Sequence, residues 1–164
     1  MFKKLIPRMN ALKKLSVNAS FKTRLMVANA TIMSTFSYML PVWGGTEEYI
    51  IKASQVIQNR AARIVTKLSW FTPQRILLQQ TNWLSIHQLI YYHTILQVWR
   101  TRFHGKPKYM AMKFNCGSNY RTRRVAAGTY AADGFLQIPE TKKALGLAKF
   151  KKELKKWIKI NVEP

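Results

Sequence analysis

The helical character of this chain is clearest in Ile57-Gln58-Asn59-Arg60-Ala61-Ala62-Arg63-Ile64-Val65. From about Glu47 to Leu68, apolar side chains recur every three, four or seven residues, as in a helix that buries one stripe. The members of this stripe are Ile50, Ala53, Ile57, Ala61, Ile64 and Leu68. Beside it, Arg60, Arg63 and Lys67 follow at intervals of three and four. The pattern predicts a helix with one face in a core and a basic flank, which is either a binding surface or an ordinary solvated face.

The length and composition indicate a folded domain. A chain of 164 residues fits one domain, and 48% hydrophobic residues are too many for a disordered basic tail. Helical periods recur and strict alternation is nowhere sustained, so we predict an all-α single domain of about five to seven helices over residues 1–164. Within it we predict a helical body over 1–114, a basic flexible loop over 115–139 and a C-terminal amphipathic helix within 140–164.

The charge of the chain points to an anionic partner. Lys and Arg number 28 against 6 Asp and Glu, which gives a formal net charge of +22. Such an excess repels itself unless a polyanion lies alongside, and nucleic acids and anionic membrane surfaces are the usual partners. We expect RNA or DNA, bound through phosphates without reading of bases.

The candidate phosphate contacts fall in three places. The first is the helical flank formed by Arg60, Arg63 and Lys67. The second is the predicted loop, and the third is the polar side of the terminal helix predicted from about Leu147 to Ile160. These last two supply Arg121, Arg123, Arg124, Lys151, Lys152, Lys155 and Lys156. Tyr91, Tyr92 and Tyr120 are candidates for stacking on unpaired bases, although aromatics at helical spacing also form cores.

Catalytic side chains are scarce in the sequence. Metal-assisted phosphoryl transfer needs clustered carboxylates, and the one aspartate is Asp133. His87 and His93 project from different sides of a helix predicted from Ser85 to about Phe103, so a paired-histidine nuclease would require the fold to join them. We predict no catalytic residue, no metal site and no cofactor. The single cysteine, Cys116, excludes an internal disulfide and favours an intracellular protein.

One uncharged segment, Leu25–Thr46, is long enough to span a bilayer. Small polar residues interrupt it, as is typical of a helix inside a helical domain, so no membrane span is predicted. We instead predict a helix from about Ser20 to Met39, capped by Ser16 or Asn18.

Five motifs in the same order carry a resemblance to a known family. They are Ser37-Tyr38-Met39-Leu40-Pro41-Val42-Trp43-Gly44, the Ile57–Val65 stretch, Asn82-Trp83-Leu84-Ser85-Ile86, Pro107-Lys108-Tyr109-Met110 and Tyr120-Arg121-Thr122-Arg123. In these motifs the chain resembles the region that follows the reverse transcriptase domain of animal non-LTR (LINE-type) retrotransposons. It departs from that pattern where Phe135-Leu136-Gln137-Ile138-Pro139 replaces the family's Trp-Asn-x-Leu-Pro.

The resemblance implies a non-catalytic tail of an RNA-directed DNA polymerase. The family's Tyr/Phe-x-Asp-Asp motif is absent from this sequence, so the polymerase site would be made elsewhere. Such a tail would help to hold template RNA and target DNA beside the upstream reverse transcriptase domains, and nuclear residence follows from the life cycle of such elements. Two alternatives stay open: an inactive relic or protein-interaction scaffold, and peripheral membrane attachment through the last helix.

Overall fold

The computed structural model describes residues 2–38, 40, 48–104 and 137–162. These residues form helices and no strand, which confirms the predicted all-α fold. The helices are α1 (Phe2–Leu15), α2 (Phe21–Ala28), a π-helical turn (Asn29–Met33), α3 (Ser34–Ser37), α4 (Glu48–Thr66), α5 (Gln74–Thr81), α6 (Ile86–His104), α7 (Glu140–Lys143) and α8 (Leu147–Asn161). With the continuous segment from α2 to α3 counted once, the described residues form seven helices, the upper limit of the prediction.

The chain divides into two compact units, Met1–Leu89 and Ile90–Glu163. The first four residues of α6 therefore belong to the first unit and the others to the second. The domain bounds predicted at residues 114 and 139 involve residues 105–136, which lie outside the described part of the chain. Those bounds stay predictions.

The helix predicted from about Ser20 does begin there, but its cap differs from the prediction. Ser20 has an extended backbone, and its side-chain oxygen accepts a hydrogen bond from the Thr23 N–H at 3.3 Å. Ser16 does not serve as the cap because its hydroxyl donates to the Lys13 carbonyl at 2.6 Å, at the end of α1. The cap is thus Ser20, the residue next to the helix, as capping geometry requires.

The π-helical turn Asn29–Met33 joins α2 to α3 and is contacted by side chains from distant parts of the first unit. Arg8 on α1 donates to the Thr31 carbonyl at 2.9 Å. The Trp83 indole N–H donates to the Asn29 side-chain oxygen at 2.8 Å. A π turn is wider than an α turn and shifts the backbone hydrogen-bond register, so its polar groups need outside partners. Hydrophobic periodicity gave no sign of it.

The buried face of α4 differs from the predicted stripe. Of the six predicted positions only Ala61 is buried, and the other five are half-buried. The helix is rotated by about one residue, and its buried positions are Ile51, Ser54, Gln58, Ala61, Ala62 and Val65. The rotation is possible because the two alanines occupy little space and the buried polar groups are paired. The Ser54 hydroxyl donates to the Ile50 carbonyl at 2.8 Å, for example.

A network of uncharged amide side chains links α4 to its neighbours in the first unit. Gln58 is fully buried and donates to the Leu84 carbonyl at 2.8 Å. Gln55 donates to the Gln58 side chain at 2.8 Å, and its own oxygen accepts the Ile86 backbone N–H at 2.8 Å. Asn59 donates to Gln74 on α5 at 3.1 Å. The core of this unit is therefore fixed by directional hydrogen bonds as well as by apolar contact.

One buried cation ties α2 to the end of α4. Arg24 is buried, and its Nε donates to the Val65 carbonyl at 2.8 Å. Its Nη1 donates to the Ala19 carbonyl at 2.6 Å. Carbonyls in the last turn of a helix lack partners within the helix, and a positive charge is favourable there. Arg24 therefore completes the C-terminal end of α4.

The start of α6 is fixed by a reciprocal pair of side-chain caps. The Gln88 N–H donates to the Ser85 hydroxyl at 3.2 Å, and the Ser85 N–H donates to the Gln88 side chain at 3.1 Å. This Ser-x-x-Gln arrangement is a capping box. The observed helix, Ile86–His104, agrees with the helix predicted from Ser85 to about Phe103.

The second unit is built on the contact between α6 and α8. The rings of Trp99 and Phe150 stack with their centroids 5.1 Å apart. The Trp99 indole also donates to the Lys143 carbonyl at 2.9 Å, which holds α7 in place. The apolar face predicted for the terminal helix is confirmed at Phe150, Leu154 and Ile158, which are all buried.

Among the helices in the described ranges, none is both sufficiently long and sufficiently apolar to span a bilayer.

Candidate nucleic-acid interface

The first predicted group of cations lies at the C-terminal end of α4. Arg60 and Lys67 are exposed, and Arg63 between them is half-buried. Lys67 directly follows the helix with a left-handed backbone (φ 58°), and its N–H donates to the Arg63 carbonyl at 2.8 Å. This conformation costs an L-residue about 1 kcal/mol, and glycine is the usual residue at such a position.

Arg63 is held inside the first unit. Its guanidinium carbon lies 4.8 Å from the centroid of the Trp70 ring, which is a cation–π distance. Its Nη2 lies 3.4 Å from the Thr72 carbonyl, and its Nε is buried without a hydrogen-bond partner among the described residues. Arg63 thus fixes the chain that follows α4. Its contact with phosphate stays a prediction, and Arg60 and Lys67 are the exposed members of this group.

The chain between α4 and α5 makes a tight turn, Ser69–Thr72, here called the aromatic turn. The Thr72 N–H donates to the Ser69 carbonyl at 3.1 Å, and the Phe71 N–H lies 3.4 Å from the Ser69 hydroxyl oxygen. Trp70 and Phe71 occupy its two central positions and are 64% and 90% exposed. Sequence analysis missed both. In the sequence, both aromatics lie between the basic end of one helix and the start of the next, and they fit no apolar period. This position was the available sign that they are exposed.

The second described group of cations lies on α8. Lys152 and Lys156 are exposed, whereas Lys151 and Lys155 are half-buried. Lys156 lies 2.9 Å from a Glu153 oxygen, and this hydrogen bond is the main cause that lowers the pKa of Glu153. Burial lowers the pKa of Lys155, and the positive charge of Lys159 lowers it further. The four predicted lysines are therefore not equivalent, and Lys152 is exposed.

Two of the three predicted base-stacking tyrosines, Tyr91 and Tyr92, are packed within the second unit. The Tyr91 ring stacks on Trp157 with the centroids 6.4 Å apart. The Tyr92 ring meets the His93 ring edge-on at 5.3 Å, and burial raises the pKa of Tyr92 against the effect of Arg100. Both side chains are half-buried. These contacts favour a role in packing over a role in stacking on bases.

The predicted loop cations Arg121, Arg123 and Arg124 lie outside the described residues. So do Tyr120, Cys116 and Asp133. Their roles stay predictions.

The histidines and carboxylates of the described residues are not clustered into a metal site. In the ranges 2–38, 48–104 and 137–162, no three His, Cys, Asp or Glu side chains are grouped so that they could hold a metal ion. His87 is exposed and His93 is half-buried. Burial lowers the pKa of His93, and the positive charges of Arg100 and Lys151 lower it further.

The sequence matches no family model and no curated protein, and the fold matches no solved structure. The resemblance to retrotransposon proteins therefore depends on the quoted motifs alone. Two of them lie in well-packed parts of the first unit: Ile57–Val65 within α4, and Asn82–Ile86 in the link from α5 to α6. The motifs at 107–110 and 120–123 lie outside the described residues.

Replacing Lys67 with glycine is expected to stabilise the first unit. The change Lys67→Gly removes the penalty of the left-handed backbone and should raise the free energy of unfolding by about 0.5–1 kcal/mol. Urea denaturation followed by circular dichroism measures this. Lys67→Gln removes the same charge but keeps the strained backbone, so its stability should match the wild type. A glycine variant less stable than the glutamine variant would contradict the prediction.

Proposed function

We propose that this chain is a non-catalytic module that binds RNA or DNA through phosphate contacts without reading their sequence. The observation that carries the proposal is a large positive charge displayed on packed helices. The apolar face of α8 is buried while Lys152 is exposed, and Arg60 and Lys67 are exposed towards the end of α4. Phosphates neutralised by such side chains release counterions, and this release drives binding to any sequence.

The carboxylates with described ion pairs neutralise little of this charge. Glu48 pairs with Lys52 at 2.9 Å at the start of α4, and Glu153 pairs with Lys156. From Glu48 to Arg60 the α4 axis rises about 18 Å, which is more than a Debye length at physiological salt. The cations at the end of α4 therefore keep their field, and a phosphate backbone is the partner that this field attracts.

The resemblance adds a context to this activity. In the proposed setting, the chain is the part of a LINE-type reverse transcriptase that lies beyond the polymerase domain. It would hold template RNA or target DNA for an active site made by upstream domains, in the nucleus. The basic exposed surfaces support this proposal, because such a tail needs affinity for phosphates and no catalytic residue of its own.

The salt dependence of binding tests the proposal. About four phosphate contacts predict a slope near −3.6 in log affinity against log salt, or roughly a 100-fold loss between about 50 and 200 mM salt for duplex DNA. Anisotropy of labelled mixed-sequence duplexes and RNA measures it. Arg60→Gln and Lys152→Gln should each reduce the slope by about 1. Lys52→Gln is the matched control, since Lys52 is already paired with Glu48.

The alternatives predict different results. A relic or a protein-interaction scaffold keeps the inherited cations, so it predicts that Arg60→Gln and Lys152→Gln leave any cellular phenotype unchanged even where they weaken binding in vitro. Membrane attachment through α8 would use Phe150, Leu154 and Ile158, which are buried within the second unit. Since the cations alone can attract the chain to anionic vesicles, sedimentation that persists at high salt would favour the membrane hypothesis, and failure to sediment at physiological salt would end it.

A further inference from the structure

The aromatic turn has the composition of a stacking site. Trp70 and Phe71 are among the large apolar side chains that the structure describes as exposed, and Phe71 is the most exposed of them at 90%. They are adjacent at the two central positions of the turn, where no helix face or apolar period buries them. Adjacent exposed aromatics lose the free energy of burial, and a contiguous exposed apolar patch is typical of a binding surface.

The geometry around Trp70 prepares one ring for stacking. The Arg63 guanidinium lies over the ring at 4.8 Å and also approaches the Thr72 carbonyl on the far side of the turn. Trp70 is nevertheless 64% exposed, so much of the side chain stays accessible. A ring that is already fixed by a cation–π contact loses little conformational entropy when a second planar group stacks on it.

The charges beside the turn select the kind of planar group. Arg60 is exposed six residues before the end of α4, Lys67 is exposed directly after the helix, and Arg75 is exposed in the first turn of α5. A nucleic-acid strand is a ligand in which planar rings, the bases, are joined to negative charges, the phosphates, at short and regular intervals. Bases in a duplex are stacked on each other and present no free face, so only unpaired bases fit.

We propose that the aromatic turn is a binding site for single-stranded nucleic acid, in which Trp70 and Phe71 stack on unpaired bases while Arg60, Lys67 and Arg75 contact the flanking phosphates. This inference rests on the proposed phosphate binding and extends it, because it gives the chain a preference for single strands over duplex. Arg63 acts as a positioning residue that holds Trp70. A lipid surface is the competing partner for an exposed Trp-Phe pair, but it offers no array of planar rings, and only two apolar side chains of the turn would enter it.

The test uses the full chain and three labelled probes at about 50 mM salt. The probes are a single strand of about 12 nucleotides, the same strand with abasic sites throughout its interior, and the corresponding duplex. The abasic strand keeps the phosphates and lacks the bases. Wild-type protein should bind the base-bearing strand about 10-fold or more tightly than the abasic strand.

Phe71→Ala should reduce this difference several-fold, since Trp70 keeps its own stacking face, and it should leave affinity for the abasic strand and the duplex unchanged. Phe71→Tyr keeps an aromatic face and should retain wild-type affinity. The control is Tyr49→Ala, since Tyr49 is 66% exposed in the first turn of α4, about 25 Å along the helix from the aromatic turn. Because Phe71 is so exposed, none of these changes should alter the unfolding midpoint.

The outcomes separate this inference from the proposed function. If all three probes bind with steep salt dependence and Phe71→Ala changes nothing, the stacking site is refuted and phosphate binding stands. If no probe binds, both proposals fail. If the bases make no difference and Phe71→Ala instead abolishes binding to phosphatidylserine vesicles, the turn is a lipid contact and the inference is overturned.

Discussion

Phe150→Ala is expected to lower the free energy of unfolding of the Ile90–Glu163 unit by about 3–5 kcal/mol. Phe150 is fully buried, and its ring lies nearly parallel to Trp99, with 17° between the planes. Truncation to alanine removes the buried apolar area and the ring contact, and it leaves a cavity at the contact between α6 and α8. Urea denaturation followed by tryptophan fluorescence reports on it, because Trp99 and Trp157 both lie in this unit.

A matched control lies on the same helix. Ile160 on α8 is 82% exposed, so Ile160→Ala should change stability by less than about 0.5 kcal/mol. Phe150→Leu keeps part of the buried volume and should fall between the two. If Phe150→Ala and Ile160→Ala had equal effects, the placement of the apolar face of α8 against Trp99 would be refuted.

Arg24→Met is expected to cost the first unit about 3–4 kcal/mol. Methionine preserves most of the side-chain volume, so the effect comes from the loss of two charge-assisted hydrogen bonds, each worth roughly 1.5–3 kcal/mol, rather than from a cavity. The Val65 and Ala19 carbonyls both lose their guanidinium donor. Differential scanning calorimetry and urea denaturation measure the change.

Two further variants separate charge from geometry at this position. Lys22 is exposed two residues before Arg24, and Lys22→Met should stay within about 0.5 kcal/mol of the wild type. Arg24→Lys keeps the charge but has one compact donor group in place of the planar fork, so it should lose part of the stability. If Arg24→Lys were fully stable, the two-carbonyl bridge would not be the source of the effect.

The buried faces of α8 and α4 differ in how well the sequence predicts them. The apolar face of α8 was found correctly because Phe150, Leu154 and Ile158 are large and follow the helical period. The face of α4 was misplaced because Ser54 and Gln58 are buried there, and a hydrophobic pattern gives no weight to a polar side chain whose partners lie elsewhere in the chain.

The candidate interface was predicted in part for a similar reason. The positions of the cations followed from the sequence, but their exposure depends on tertiary partners. Arg63 was expected to be equivalent to Arg60, yet it lies against Trp70, seven residues further on, because the chain reverses at the aromatic turn. Such a contact is set by backbone turn geometry and not by residue spacing along a helix.

The amide network around Gln58 has a practical consequence for every binding experiment on this chain. Its links are neutral: Gln58 to Leu84, Gln55 to Ile86 and Asn59 to Gln74. Neutral amides do not titrate in the physiological range, and their hydrogen bonds carry no net charge for added ions to screen. The salt concentration therefore affects polyanion binding much more than it affects this amide network. Salt can be raised to release a bound polyanion while the helices that carry the cations stay folded.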